Sequence, residues 1–223
     1  AAWGIPLVAT HTVADAAEAA ACADELGSPV ALKAIAPGLV HKSDAGGVAL
    51  GLSGAAQVRT AAEAMAVRLG EAGHAVEGFL VQPMVDTAVE MLIGVTHDPS
   101  FCPVVVCGAG GVRAELERDI AARLVPLSRD EALEALRSLR TFPLLTGWRG
   151  APPCDVDALA DVLVRTAAMA DAHPEILELD FNPVAVSERG AVVLDARVRV
   201  ARAAPPPPWP SVGATPPQPV AGL

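Results

Sequence analysis

The chain has 223 residues, 52% of them hydrophobic, yet 45 positions are Ala and only seven are aromatic, with no Tyr. Acidic residues outnumber basic ones 26 to 16, a formal net charge of −10, which argues against a duplex or RNA partner because phosphate neutralisation needs a clustered basic face. A core of Val, Leu, Ile and Ala is expected, and a single-stranded nucleic-acid groove would lack its stacking rings.

No run reaches the roughly 18 apolar residues that cross a bilayer. The uncharged stretch from Ala203 to Leu223 carries eight prolines and is expected to be a polyproline-like or disordered tail. The opening Ala1-Ala2-Trp3-Gly4-Ile5-Pro6 has neither an initiator Met nor a signal-peptide charge pattern, so a piece of a longer, cytoplasmic chain is expected. Cys22, Cys102, Cys107 and Cys154 form no CxxC pair and read as buried free thiols ahead of metal ligands. Of the 16 basic residues only Lys33 and Lys42 are lysines. That scarcity hints at positions where a compact point charge is wanted.

In chain order, Thr12-Val-Ala-Asp15 resembles a capping box opening an Ala-rich helix to Leu26, with Gly27 as its stop. Val30 to Ile35 reads as a strand, then a turn-rich segment 36–47, a return strand from Val48 to Leu52, and a helix capped by Ser53 to about Leu69. Val76–Met84, Val89–Thr96 and Val104–Cys107 are β-rich. Ser128 and Glu131 form a second capping box for a helix to Arg140, and Asp155 caps a helix to about Ala172. Ile176–Val186 and Ala191–Val198 read as a hairpin around Ser187-Glu-Arg-Gly190.

If Val186 pairs with Ala191, then Asn182 lies opposite Asp195 and Asp180 opposite Arg197. Side chains two apart share a face, so Glu178, Asp180, Asn182, Asp195 and Arg197 project together, while Leu179, Phe181, Leu194 and Ala196 face a core. An ordinary solvated sheet face fits this pattern. So does a set of hard oxygen ligands for Mg²⁺ with room for water and phosphate oxygens. Lys33 stands in an otherwise apolar strand, where either an anionic ligand or a neighbouring carboxylate must offset the burial of its charge. His41-Lys42-Ser43-Asp44 followed by Gly46-Gly47 suits a phosphate, whereas Gly108-Ala-Gly-Gly111 fits neither a Walker pattern nor GxGxxG. His11, His74, His97 and His173 read as surface or turn residues.

The segments 29–52, 77–85, 89–111, 123–140, 142–153, 174–186 and 192–198, in this order, resemble the ATP-grasp domain of NDP-forming acyl-CoA synthetases, relatives of the succinyl-CoA synthetase β subunit. The resemblance implies an α+β, ATP-grasp fold: a lobe over residues 1–80, a lobe over 81–200, and a tail over 201–223. It implies ATP/ADP and Mg²⁺ as ligands, with Lys33, Lys42, Gly46 and Gly47 on the phosphates. Glu77 to Gln82, Val81 included, would form a hinge around adenine, and Glu90 would face the ribose or phosphates. Asn182 and Asp195 match metal ligands. His41 matches a phosphoryl carrier, with Asp180 supporting the phosphohistidine. The CoA-binding Rossmann module would lie elsewhere in the parent chain or on an α subunit. Arg113 departs from the family, which has an apolar residue there. Two functions follow: the nucleotide-binding module of a synthetase interconverting acyl-CoA, ADP and phosphate with carboxylate, ATP and CoA, or a non-catalytic sensor of nucleotide fused to a lysine acetyltransferase.

Overall fold

A computed structural model of the chain describes residues 2–27, 29–39, 42, 44–98, 102–111 and 119–202. Two antiparallel sheets, each with helices on one face, make up the molecule. In the first, β1 (His11–Val13), β2 (Val30–Ile35), β3 (Val48–Leu52) and β4 (Gly78–Pro83) take the order β1-β4-β2-β3. Helices α1 (Ala16–Leu26) and α2 (Gly54–Glu71) cover it. Val30, Leu32, Ala34, Phe79 and Val81 alternate onto the helical face and meet Ala19, Ala23, Val58, Met65 and Leu69. Of the alanines of α1, Ala19, Ala20 and Ala23 are buried.

The start of α1 differs from the sequence expectation. Thr12 pairs with Leu80 inside β1, and Asp15 is the N-cap, accepting from the N–H groups of Ala17 and Glu18. Glu18 answers by accepting the Ala14 N–H at 2.8 Å. Ser53 occupies the N-cap of α2 without a side-chain bond. Asp24 of α1 accepts from Ala55 at 2.9 Å instead, so the cap is supplied by the neighbouring helix.

The second sheet runs β10-β8-β5-β6-β7, with β9 also paired to β8. Its strands are β5 (Val89–Asp98), β6 (Cys102–Ala109), β7 (Ile120–Leu124), β8 (Ile176–Ser187), β9 (Gly190–Val193) and β10 (Ala196–Val200). Helices α3 (Arg129–Arg137), α4 (Phe142–Leu145) and α5 (Val156–Ala172) cover one face, where Met91, Ile93, Val95, Leu136, Leu159, Leu163 and Phe181 form the core. The capping box of Ser128 and Glu131 and the cap by Asp155 are both present. β1, β7 and the short α4 were not legible in the sequence, and the return strand breaks into β9 and β10 at Leu194–Asp195. The expected boundary at residue 80 puts Ile5 with the first lobe, but Ile5 is buried in the second core. Leu7 bridges Val193, so the N-terminal segment straps one sheet to the other. Among the described residues no helix is long and apolar enough to cross a membrane.

Candidate functional site

The site is built on the sheet faces that carry no helices. Because Leu32 and Ala34 point into the first core, Lys33 leaves β2 on the opposite face. Leu80, across from Lys33, and Gln82, across from Ala31, share that face. In the second sheet Leu179 and Phe181 face the helices, so Asp180 projects the other way, opposite Arg197. The flanking pairs Phe181–Ala196 and Val184–Val193 keep one register, which sets Asn182 across from Asp195. Leu194 is only half-buried and Ala196 is exposed, so the expectation that both are core does not hold.

One backbone carbonyl joins the two sheets. Leu194 donates its N–H to the carbonyl of Pro183 at 3.0 Å. In an antiparallel pair of this kind the partner normally returns a bond, but Pro183 has no N–H to give. The Leu194 carbonyl therefore accepts from the first sheet: from Lys33 Nζ at 2.8 Å and from Gln82 Nε2 at 3.3 Å. Gln82 also donates to Thr10 Oγ1 at 2.9 Å. Lys33 and Gln82 are 8% and 6% exposed, so both polar tips depend on these partners.

Charge converges on the same place. Burial pushes the Lys33 ammonium below the usual lysine range, with Lys42 adding repulsion and Asp195 opposing both. Burial likewise pushes the Asp180 carboxyl up, reinforced by Asp195 and opposed by Arg197. Lys33, Lys42, Asp180, Asp195 and Arg197 thus form one interacting group. Lys33 answers its own burial with a carbonyl bond and a nearby carboxylate, and two of its three N–H donors remain for a ligand.

Asn182 and Asp195 are half-buried. The Asn182 Oδ1 accepts the Gly111 N–H at 3.0 Å, which leaves one lone pair on that oxygen. One carboxylate and one amide oxygen match the sparse protein ligation of Mg²⁺, which keeps waters and phosphate oxygens in its shell. Among the described residues no group of three or more His, Cys, Asp or Glu could cage a metal by itself. A cavity of about 420 Å³ lined by Glu90, Met91, Gly110, Thr141 and Trp148 among others opens next to the glycine turn, and none of Lys33, Asp180, Asn182 and Asp195 lines it. The exposed Glu90 reaches so close to Gly111 that a β-carbon there would stand 1.9 Å from its Oε2.

Other expected residues are not brought to this place. Glu77 is exposed, and its N–H donates to Ile35 at the far end of β4 from Gln82. Val81 points into the first core, and β4 is an interior strand with ladders on both sides, so its backbone groups are already paired. The crossing between the sheets lies after β4, at residues 84–88. Gly46 and Gly47 border Lys42, but the Gly47 N–H is bound to the Lys42 carbonyl at 2.6 Å, and the Gly46 carbonyl accepts from Arg68 at 2.6 Å. Gly108 and Gly110 serve close packing: added β-carbons would meet the Asp119 carbonyl at 2.5 Å and the Met91 backbone at 2.4 Å. His41 and Arg113 lie outside the described residues. Leu194 is not among the expected residues, although its carbonyl, left out of the ladder, follows from Pro183 standing opposite it in the hairpin register. Asp119 and Thr141 are not among them either, and no local pattern marks them.

A family model described as an ATP-grasp domain matches residues 1–200. The chain is 39% identical over 198 residues to the ADP-forming acetate–CoA ligase I of Archaeoglobus fulgidus, covering 88% of this chain and 29% of the ligase. It is 33% identical to the β subunit of ADP-forming acetate–CoA ligase I of Pyrococcus furiosus, covering 88% of this chain and 85% of the subunit. The dinucleotide-forming acetyl-coenzyme A synthetase 1 of Ca. Korarchaeum cryptofilum, solved with coenzyme A and Ca-AMPCP, superimposes with a TM-score of 0.86 at 37% identity, over 90% of this chain and 88% of that one. The same synthetase was solved with Mg-AMPPCP and its phosphohistidine segment pointing towards the nucleotide site (TM-score 0.78, 36% identity, 90% and 87% covered). The chain belongs to the ATP-grasp domain family, in the group that contains the β subunits of ADP-forming acetate–CoA ligases.

Proposed function

We propose that this chain binds MgATP or MgADP between its two sheets and serves as the nucleotide module of an NDP-forming acyl-CoA synthetase. The observation that carries the reading is the convergence of the buried Lys33 ammonium of one sheet with Leu194 and Asp195 of the other. The nucleotide analogues and the phosphohistidine segment of the Korarchaeum synthetase support it. The two sheets would be the two lobes closing on the ligand, with the crossing at residues 84–88, after β4, rather than at residue 80. The relatives named above are ligases and synthetases, which leaves the acetyltransferase-sensor alternative without an observation of its own.

In the direction of ATP formation, a β-phosphate oxygen of ADP attacks phosphorus as the P–N bond of a phosphohistidine breaks, and the imidazole leaves with the electron pair. Lys33 and Lys42 would hold the phosphate oxygens and oppose their charge throughout. Asp195 and Asn182 would hold Mg²⁺, which when bound supplies further neutralisation of the phosphates. Asp180, poised beside Arg197, would orient the imidazole, and His41 would be the carrier nearest the nucleotide. A CoA-binding module, in the parent chain or on an α subunit, would supply the acyl group and the first phosphohistidine.

The experiment is calorimetric titration of the chain with ADP and ATP at fixed magnesium, repeated with Asp195→Asn. Nucleotide binding that weakens in the variant only when magnesium is present is expected. A wild-type chain that binds neither nucleotide overturns the reading.

A further inference from the structure

We propose that Asp119 is a positioning residue for the metal end of the site, holding the 108–111 turn so that the Gly111 N–H keeps the Asn182 oxygen aimed at magnesium. The inference rests on the assignment of Asn182 and Asp195 to that ion.

Asp119 is 7% exposed and lies just before β7. Its Oδ1 accepts the Arg140 N–H at 2.9 Å, and its Oδ2 accepts both the N–H and the Oγ1 hydroxyl of Thr141 at 2.8 Å. The Arg140 Nε stands 3.7 Å from Oδ1. A buried carboxylate this fully bonded fixes the chain at the start of α4 against the first residues of β7. The backbone of the same residue reaches the other way: its carbonyl accepts the Ala109 N–H at 3.2 Å. The bonds continue in series, with Gly110 donating to the Glu90 carbonyl and Gly111 to Asn182 Oδ1, each at 3.0 Å. At Gly108 and Gly110 the strands approach too closely for a side chain, so the turn has one available seat. Thr141 also lines a cavity together with Glu90 and Gly110, so the clamp and the glycine turn border one another. Partners that orient a metal ligand from behind are worth roughly 10–100-fold in metal affinity, and Asp119 acts on Asn182 in that way, through the glycine turn.

The test measures ADP affinity by calorimetry across a magnesium series and in EDTA, alongside thermal melts, for Asp119→Asn and Thr141→Val. In Asp119→Asn the magnesium needed for half-maximal tightening of ADP is expected to rise about tenfold or more, with affinity in EDTA within about twofold of wild type. Thr141→Val keeps the shape, loses one donor and carries the test if Asp119→Asn does not fold; a rise of about two- to tenfold is expected from one hydrogen bond. Ser128→Ala, which loosens the α3 cap far from the site, should lower the melting temperature and leave the magnesium requirement alone. An unchanged magnesium requirement in both clamp variants, or a parallel loss of affinity in EDTA, overturns the inference. If Asp195→Asn shifts the requirement while the clamp variants do not, the metal assignment stands and the positioning role falls. A wild-type affinity indifferent to magnesium removes both.

Discussion

Lys33→Met separates what the ammonium contributes to the fold from what it contributes to the ligand. In the unliganded chain the substitution removes a charge that is only 8% exposed and sits below its ordinary pKa because of burial. The Leu194 carbonyl keeps its bond from Gln82 at 3.3 Å, so no buried acceptor is orphaned. Removing the ammonium relieves its desolvation and leaves Asp195 only half-buried and able to hydrate, so a stability within about 1 kcal/mol of wild type is expected. The nucleotide response should behave differently. At a hundred times its dissociation constant, MgADP stabilises the wild type by about 2.7 kcal/mol. A hydrogen bond to a charged group contributes about 1.5–3 kcal/mol, so its loss weakens binding by roughly 10–150-fold. At the same ADP concentration the stabilisation then drops to about 0.3–1.3 kcal/mol by the same linkage relation. With about 2–4 °C per kcal/mol for a domain of this size, a wild-type shift of about 5–11 °C should shrink to about 1–5 °C. Scanning calorimetry with and without MgADP reads both quantities. An equal nucleotide shift in variant and wild type would refute the placement of Lys33 on the phosphates. A collapse of the unliganded fold would refute the claim that its charge is an expense to stability.

Gly111→Ala sets a methyl against the Glu90 carboxylate at φ +61°; a loss of about 1–2 kcal/mol is expected from the left-handed backbone, with little added because that carboxylate is the movable end of an exposed side chain. Chemical denaturation of the double variant with Glu90→Ala should leave most of that loss in place; full recovery would show that the backbone was not strained. Asp180→Asn tests the raised carboxyl pKa. Because the folded state holds the proton more tightly than the unfolded one, Asp180 favours folding below its unfolded pKa, and that support is lost as pH rises through the higher folded value. Stability curves of wild type and variant should therefore differ in slope from about pH 4 upward, wild type falling relative to variant; parallel curves would contradict the shift. Ser128→Ala removes the acceptor of the Glu131 N–H and should cost about 1 kcal/mol in urea denaturation. Leu163→Ala, fully inside the second core, should cost about 2–5 kcal/mol, and a loss under 1 would mean that α5 does not anchor that sheet.

Residues with a strong local rule were legible in the sequence. Ser128 with Glu131, Asp155, and the alternation around Lys33 and Asp180 all follow from side-chain periodicity or helix capping, which act within a few residues. Where two local rules compete, a distant contact decides between them. Thr12 and Asp15 both satisfy a cap pattern, and pairing with Leu80 across 68 residues takes Thr12 into a strand. β7 went unread because Ile120–Leu124 carries an Arg and two Ala in five positions and becomes a strand only by lying against Val104–Gly108. Asp119 went unread for the same reason, since its three donors come from residues 140 and 141. An apolar β run such as Glu77 to Gln82 gives no sign of which of its ends leads to the next sheet. Observed pairing of β4 on both sides shows that Glu77 is the remote end.

Pro183 links these scales. A proline inside a strand removes one ladder bond, and here the bond removed is the one that would have occupied the Leu194 carbonyl. That carbonyl holds Lys33 by a single N–H at 2.8 Å. Ordering a lysine side chain costs up to about 2 kcal/mol, and in this molecule much of that ordering precedes any ligand. Asp195 is the next residue after Leu194, at the break between β9 and β10. The interruption that presents a carbonyl to the cation of the first sheet therefore also carries the carboxylate assigned to the metal. Movement of the hairpin relative to β2 must displace both charges together, so a change that lets Leu194 re-enter a regular ladder should weaken the cation and the metal contacts at once.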